Sequence, residues 1–261
     1  MMGVTMFDKH FEAVLADCEE GKRVHYKIRY QVYCIEAGYE DSRAFAGDEE
    51  KDEWDKHSVH FLVRSKLTGQ WIAAMRLILP DDKGRHPVFQ FCDIDNSIAD
   101  RTEGSTTGEI SRLCIVDSFR RRLPPGRNET EPFHLASSAH SVHAQLRERC
   151  KEPLIVLGLF RAAAQYSRKH GIPYWYFLTT SALARMLKRM HVHMTNAGDP
   201  CVHNGVRHPF LIDLRDAIER ARHSSGVIAQ MLNNPVAYVP YSQLANATDL
   251  ETSSFLQPYA A

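Results

Sequence analysis

Residues 108–117, Gly-Glu-Ile-Ser-Arg-Leu-Cys-Ile-Val-Asp, constrain the fold most. Ile110, Leu113, Ile115 and Val116 give the stretch the apolar, β-branched character of a buried strand. Glu109 and Arg112 interrupt it, and an ion inside a core is costly unless it is paired or used. Period-2 alternation puts Glu109, Ser111, Leu113 and Ile115 on one face, and Ile110, Arg112, Cys114 and Val116 on the other. Either this is an edge strand whose charges face water, or it is a core strand whose charges belong to a site.

The segments around it set the architecture. Helical spacing runs over 6–19 and 23–37, the second with Val24, Ile28, Val32 and Ile35 in one stripe and Gly38 as its stop. Residues 39–56 are acidic without a period and read as a carboxylate-rich loop. Strands are predicted at 58–65 and 71–79, joined through Gly69, with Arg76 inside the second. Residues 80–107 are polar and broken, and 128–150 read as an insertion, part of it helical. A helix at 153–170, a strand at 174–179, a helix at 181–191, strands near 192–203 and 206–213, and a helix at 215–223 follow. The remaining tail has little to bury. This order predicts an α+β fold with a mixed central sheet flanked by helices. One domain covers 1–222, and a C-terminal helix and tail cover 223–261.

Charge and cysteine usage exclude several function classes. The 32 basic and 32 acidic residues cancel, which argues against nucleic acid as a general partner. No run approaches the 18 apolar residues of a transmembrane segment, and no signal peptide is recognisable. The six cysteines (18, 34, 92, 114, 150 and 201) show no C-x-x-C spacing, so reduced thiols and a cytoplasmic setting are expected. His140-x-x-His143 and His191-x-His193 lack an evident third ligand, so no metal is expected.

Four charged pieces occur in a specific order: Arg29-x-x-x-Tyr33-x-x-x-x-x-Tyr39, then Asp52-x-x-Asp55, then Arg76-Leu77, then Glu109-Ile-Ser111-Arg112. In this order and spacing they resemble the acyl-homoserine lactone synthases and N-acyl amino acid synthases, branches of the GNAT-type N-acyltransferase superfamily. They look most like the PEP-CTERM/exosortase-associated acyltransferases. The resemblance covers roughly residues 20–120. Tyr33 and Tyr39 stand where these families commonly carry Phe and Trp, and the chain is longer than a typical lactone synthase. Both departures favour the amino-acid-acylating relatives.

The resemblance implies a GNAT-like fold and transfer of a long-chain fatty acyl group from a phosphopantetheine thioester to the amine of an amino acid or similar small acceptor. It implies catalytic roles for Glu109, Ser111 and Arg112, and acceptor binding by Arg29, Tyr33, Tyr39, Asp52, Asp55 and Arg76. The donor's arm would meet Leu113, Ile115 and Val116. The chemistry agrees. Amine acylation needs the neutral amine, and a Glu in a buried strand has its pKa raised toward a useful base. Backbone N–H groups within Leu113–Val116 are the expected oxyanion donors.

In place of the family's Gly-rich phosphate turn this chain has Arg120, Arg121, Arg122 and Arg127 with a single Gly126. That favours acyl carrier protein, with its acidic face, over acyl-coenzyme A as donor. No tightly bound cofactor is expected. Two other functions stay open: a lactone-forming signal synthase using S-adenosylmethionine, and a catalytically silent module that binds an acyl group or a partner.

Overall fold

The computed structural model describes residues 5–81, 84–120, 151–224, 229 and 236–244. In chain order the elements are α1 (Met6–His10), β1 (Phe11–Leu15), α2 (Glu19–Arg29), β2 (Ser58–Ser65), β3 (Trp71–Ile78), α3 (Val88–Phe91), α4 (Asn96–Thr102), β4 (Thr107–Ile115) and α5 (Asp117–Arg120). Then come α6 (Lys151–Lys169), β5 (Tyr174–Thr179), α7 (Ser181–Arg189), β6 (Thr195–Asn196), β7 (Cys201–Val202), β8 (Val206–Asp213), α8 (Leu214–Ser224) and β9 (Val239–Pro240). The strands lie in the order β6-β8-β5-β4-β3-β2-β1-β9, with β7 paired to β8. The β4–β5 and β1–β9 pairs are parallel and the others antiparallel. This is the α+β architecture, a mixed sheet flanked by helices.

The 108–117 stretch lies at the centre of the sheet, which settles the choice between edge and core. Its neighbour β3 is buried along its whole length, as expected for a strand covered on both faces. Leu77, Ile72, Ile110, Ile155, Leu159 and Trp175 share one core with the inner faces of α2 and α6.

Three departures from the expected elements have physical causes. The predicted helix over 6–19 is a five-residue helix followed by β1, because Phe11, Ala13 and Val14 bury against the sheet and their ladder to β2 overrides helical spacing. Residues 80–107, polar and broken in the sequence, nevertheless carry two short helices, whose Val88 and Ile98 build a second small core with Tyr176, Ala197 and Leu211. Helices this short show no period in the sequence. Part of the tail also joins the sheet, where β9 pairs with β1 and Tyr241 stacks on Trp71 at 5.6 Å.

Two details position the site. The chain continues from α2 as a π-helical stretch, Tyr30–Glu36, a geometry found frequently at functional positions. In β4, Arg112 and Leu113 oppose Met75 alone, between the pairs Ala74–Cys114 and Arg76–Ser111. This is a β-bulge, and Arg112 adopts φ +52° within it. The bulge breaks the expected alternation, so Ser111 and Arg112 both reach one charge cluster rather than opposite faces.

Candidate active site

Parallel pairing of β4 with β5 runs from Thr107–Tyr174 to Ile110–Phe177 and stops there. Beyond that point the strands diverge, and a cleft of about 610 Å³ is lined by Ile110–Cys114 on one side and Phe177–Thr180 on the other. Glu109, Asp52, Arg76, Tyr33, Tyr39 and Trp54 line the same cleft. Its size suits a small-molecule site.

Glu109 is 4% exposed, and its carboxylate accepts the Val88 N–H at 2.8 Å. Burial pushes its pKa up to about 8, opposed by that hydrogen bond and by the charges of Arg76 and Arg112.

Next to it lies a closed ion lattice built from separate parts of the chain. Arg29, on the last turn of α2, bonds Glu50 through Nε and Asp55 through Nη1 at 2.6 Å. Arg76 on β3 reaches Asp52 at 2.6 and 3.0 Å and Asp55 at 2.8 Å, and donates to Ser111 Oγ at 3.3 Å. Arg112 reaches Glu50 at 3.1 Å, Asp52 at 3.4 Å and Glu40 at 3.6 Å. The spacing of Asp52 and Asp55 is explained locally. They form a capping box on the 3₁₀ turn Glu53–His57, with Asp52 accepting from Trp54 N–H and Asp55 from Asp52 N–H.

Burial works to raise the Asp55 carboxyl, but the hydrogen bond from His60 and the charges of Arg29 and Arg76 hold it far below the usual carboxylate range. Burial likewise opposes ionisation of Glu50 and Asp52, and their arginine partners win in both cases. Three arginines therefore face Glu50, Asp52 and Asp55, all held ionised, with Glu40 as a fourth carboxylate beside Arg112, as burial of so many charges demands.

These contacts correct several expected roles. Arg29 is fully buried and Asp55 nearly so, and neither lines the cleft. Their charges are satisfied internally, so both shape the site rather than touch an acceptor. Ile115 and Val116 turn their side chains into the core. The Val116 N–H is taken by the Ile72 carbonyl at 3.0 Å and is unavailable to an oxyanion; alternation turns the Ile115 N–H to the edge that β5 has left. Tyr33 is packed under Arg112, ring to guanidinium 5.3 Å, with its hydroxyl donating to the Leu113 carbonyl at 3.4 Å. Arg120 closes α5, and Arg121, Arg122 and Arg127 lie outside the described residues. Cys92 and Cys201 are disulfide-bonded, against the expectation of reduced thiols throughout.

Sequence reasoning missed Glu50, Trp54, Phe91, His203 and Arg207. Glu50 was visible only as one carboxylate of the run Asp48-Glu-Glu50, which does not say which side chain turns inward. The other four reach the cleft only through the tertiary fold.

The sheet splays at a bulged central strand with a buried glutamate beside the fork, and this α+β arrangement matches the GNAT-type fold. Residues 28–125 match the model of the acetyltransferase (GNAT) domain. Among solved structures, the chain is similar to the coenzyme-A-dependent acyl-homoserine lactone synthase BjaI with S-adenosylmethionine and isopentyl-CoA. The two share 13% identity, a TM-score of 0.55, and coverage of 93% of this chain and 98% of that one. It is also similar to TofI in a ternary complex with an inhibitor and methylthioadenosine (15% identity, TM-score 0.52, 78% and 91% covered). FeeM, an N-acyl amino acid synthase from uncultured soil microbes, gives 12% identity, TM-score 0.51 and coverage of 82% and 98%. No curated protein matches the sequence. Among the described residues, no helix is long and apolar enough to cross a membrane.

Proposed function

We propose that the protein transfers a fatty acyl group from acyl carrier protein to the amine of an amino acid or similar small acceptor, giving an open-chain N-acyl product. The observation that carries this is Glu109, a buried carboxyl of raised pKa at the fork of β4 and β5. Asp52 also lines the cleft, but a carboxylate held below its ordinary pKa is a poor base.

Glu109 takes the acceptor's proton, directly or through one water. The amine nitrogen then attacks the thioester carbonyl, and the developing oxyanion is met by amides of Leu113 and Ile115 on the edge that β5 has left. Collapse breaks the C–S bond, and the thiolate leaves as a thiol with the proton. Arg76 and Arg112 act through fixed charge: held by Asp52, Glu50 and Ser111, they keep the bulge and the cleft wall in place. Acyl carrier protein is favoured as donor by the arginines of 120–127 and their single glycine.

A second function has its own support. Tyr33, Tyr39, Trp54 and Phe91 all line the cleft, and aromatic faces suit the sulfonium of S-adenosylmethionine, a ligand of BjaI. One experiment separates the two. The protein is incubated with long-chain acyl carrier protein, or the matching acyl-coenzyme A, and either mixed amino acids or S-adenosylmethionine; products are identified by mass spectrometry. N-acyl amino acids are expected. Release of methylthioadenosine with an acyl-homoserine lactone would establish the second function instead, and binding without turnover would show a silent module.

A further inference from the structure

The arginines of the sequence motif are occupied: Arg29, Arg76 and Arg112 all hold internal carboxylates. Each is therefore committed first to carboxylates of the chain itself rather than to an acceptor's. Two other arginines line the cleft, Arg189 and Arg207, and neither has an acidic partner within salt-bridge distance among the described residues.

The two differ in what holds them. Arg189 is exposed at the last turn of α7, where a cation already complements the helix dipole. Arg207 is half-buried on the β7–β8 hairpin, directly across from Cys201. That hairpin is tied to the segment holding the catalytic carboxyl. Cys201 is bonded to Cys92, the Phe91 and His203 rings lie 4.0 Å apart, and the nearby Asp95 N–H donates to the Ala197 carbonyl at 2.9 Å. At the other end of the same short segment, Val88 N–H holds Glu109. Glu109 and the Arg207 guanidinium, which has no acidic partner among the described residues, therefore stand on one braced wall of one cleft. His203 adds an uncharged shelf beside it, because burial and the charges of Arg112 and Arg207 lower its pKa.

We propose that Arg207 binds the carboxylate of the acceptor and thereby selects amino acids over neutral amines. The inference rests on the acyltransfer reaction proposed above. A guanidinium fork matches a carboxylate in two parallel hydrogen bonds, and anchoring there leaves the α-amine to face Glu109.

The test is a competition. Wild type, Arg207→Gln and Arg207→Lys are each given long-chain acyl carrier protein with an equimolar mixture of the twenty L-amino acids and their carboxamides, and the acylated products are quantified by mass spectrometry. The ratio of N-acyl acid to N-acyl amide is expected to fall about 10- to 100-fold in Arg207→Gln, the scale of a lost charge-assisted pair, and to recover partly in Arg207→Lys. Acylation of the carboxamides should persist in both variants, which shows that they are folded. An unchanged ratio with an active wild type overturns this inference alone. An unchanged ratio with a raised KM for acyl carrier protein overturns it in favour of the donor's phosphate. A wild type that acylates neither set overturns the acyltransfer reaction, and this inference with it.

Discussion

Replacing Glu109 with Gln should cost activity and increase stability, with opposite pH dependences. The carboxyl has an ordinary value of 4.5 and stands at about 8 in the fold. Each pH unit between those values is worth about 1.4 kcal/mol, so holding Glu109 ionised in the native state costs on the order of 5 kcal/mol. The sign follows from which state binds the proton. Below pH 4.5 the group is protonated folded and unfolded, and the penalty is absent. As pH rises toward 8 the unfolded chain ionises first, so native stability falls; above 8 the penalty is complete and constant. Gln can still accept the Val88 N–H and carries no such penalty. Urea denaturation should therefore give equal midpoints for wild type and Glu109→Gln near pH 4.5, and a clearly more stable variant at pH 9. Turnover should move the other way. Wild-type kcat/KM should rise with an apparent pKa near 8 as the base ionises, and the variant should lose about 10²-fold or more at its optimum, the scale of a lost general base. A variant with wild-type turnover, or a stability difference that does not grow with pH, would refute the assignment.

Three further predictions concern the frame around the site. Glu50→Gln strips a carboxylate from the fully buried Arg29 and from the partly exposed Arg112 and should destabilise the fold by about 3–5 kcal/mol, whereas Glu20→Gln on the surface should shift the urea midpoint little; equal shifts would show that the lattice is not stabilising. Glu50, Asp52 and Asp55 are all held below their ordinary values, so their contribution is complete above about pH 4.5 and is lost as pH falls through the depressed native values. Together with Glu109 this places maximum stability in mildly acid solution, and a stability that rises steadily from pH 5 to 9 would contradict it. Gly158→Ala should lower the melting temperature despite better helix propensity, because the new methyl would meet the Phe7 ring at 2.1 Å; the cost is about 1–3 kcal/mol, and adding Phe7→Leu should recover part of it.

The sequence by itself determined the central strands of the sheet and most of the charged residues of the cluster, though not the outer strands β1 and β9 or Glu50. Strands 58–65, 71–79 and 174–179 were legible because a two-residue period, or an unbroken apolar run, marks a strand locally. Glu109, Arg112 and Arg76 stood out for the same reason, as charges inside runs that must be buried. Roles were harder to read. Arg29 has the look of a binding residue in the motif, and only the fold shows that Glu50 and Asp55 consume it. The alternation expected in β4 fails at Arg112 because the bulge depends on how β3 and β4 pair, which neither strand encodes alone. Residues 80–107 and the 201–207 hairpin lack any period, yet Val88 holds the Glu109 carboxyl and Arg207 enters the same cleft. Burial and periodicity are local properties that a sequence carries openly. Which charge meets which is decided across long stretches of chain, by packing that exists only once the sheet has formed.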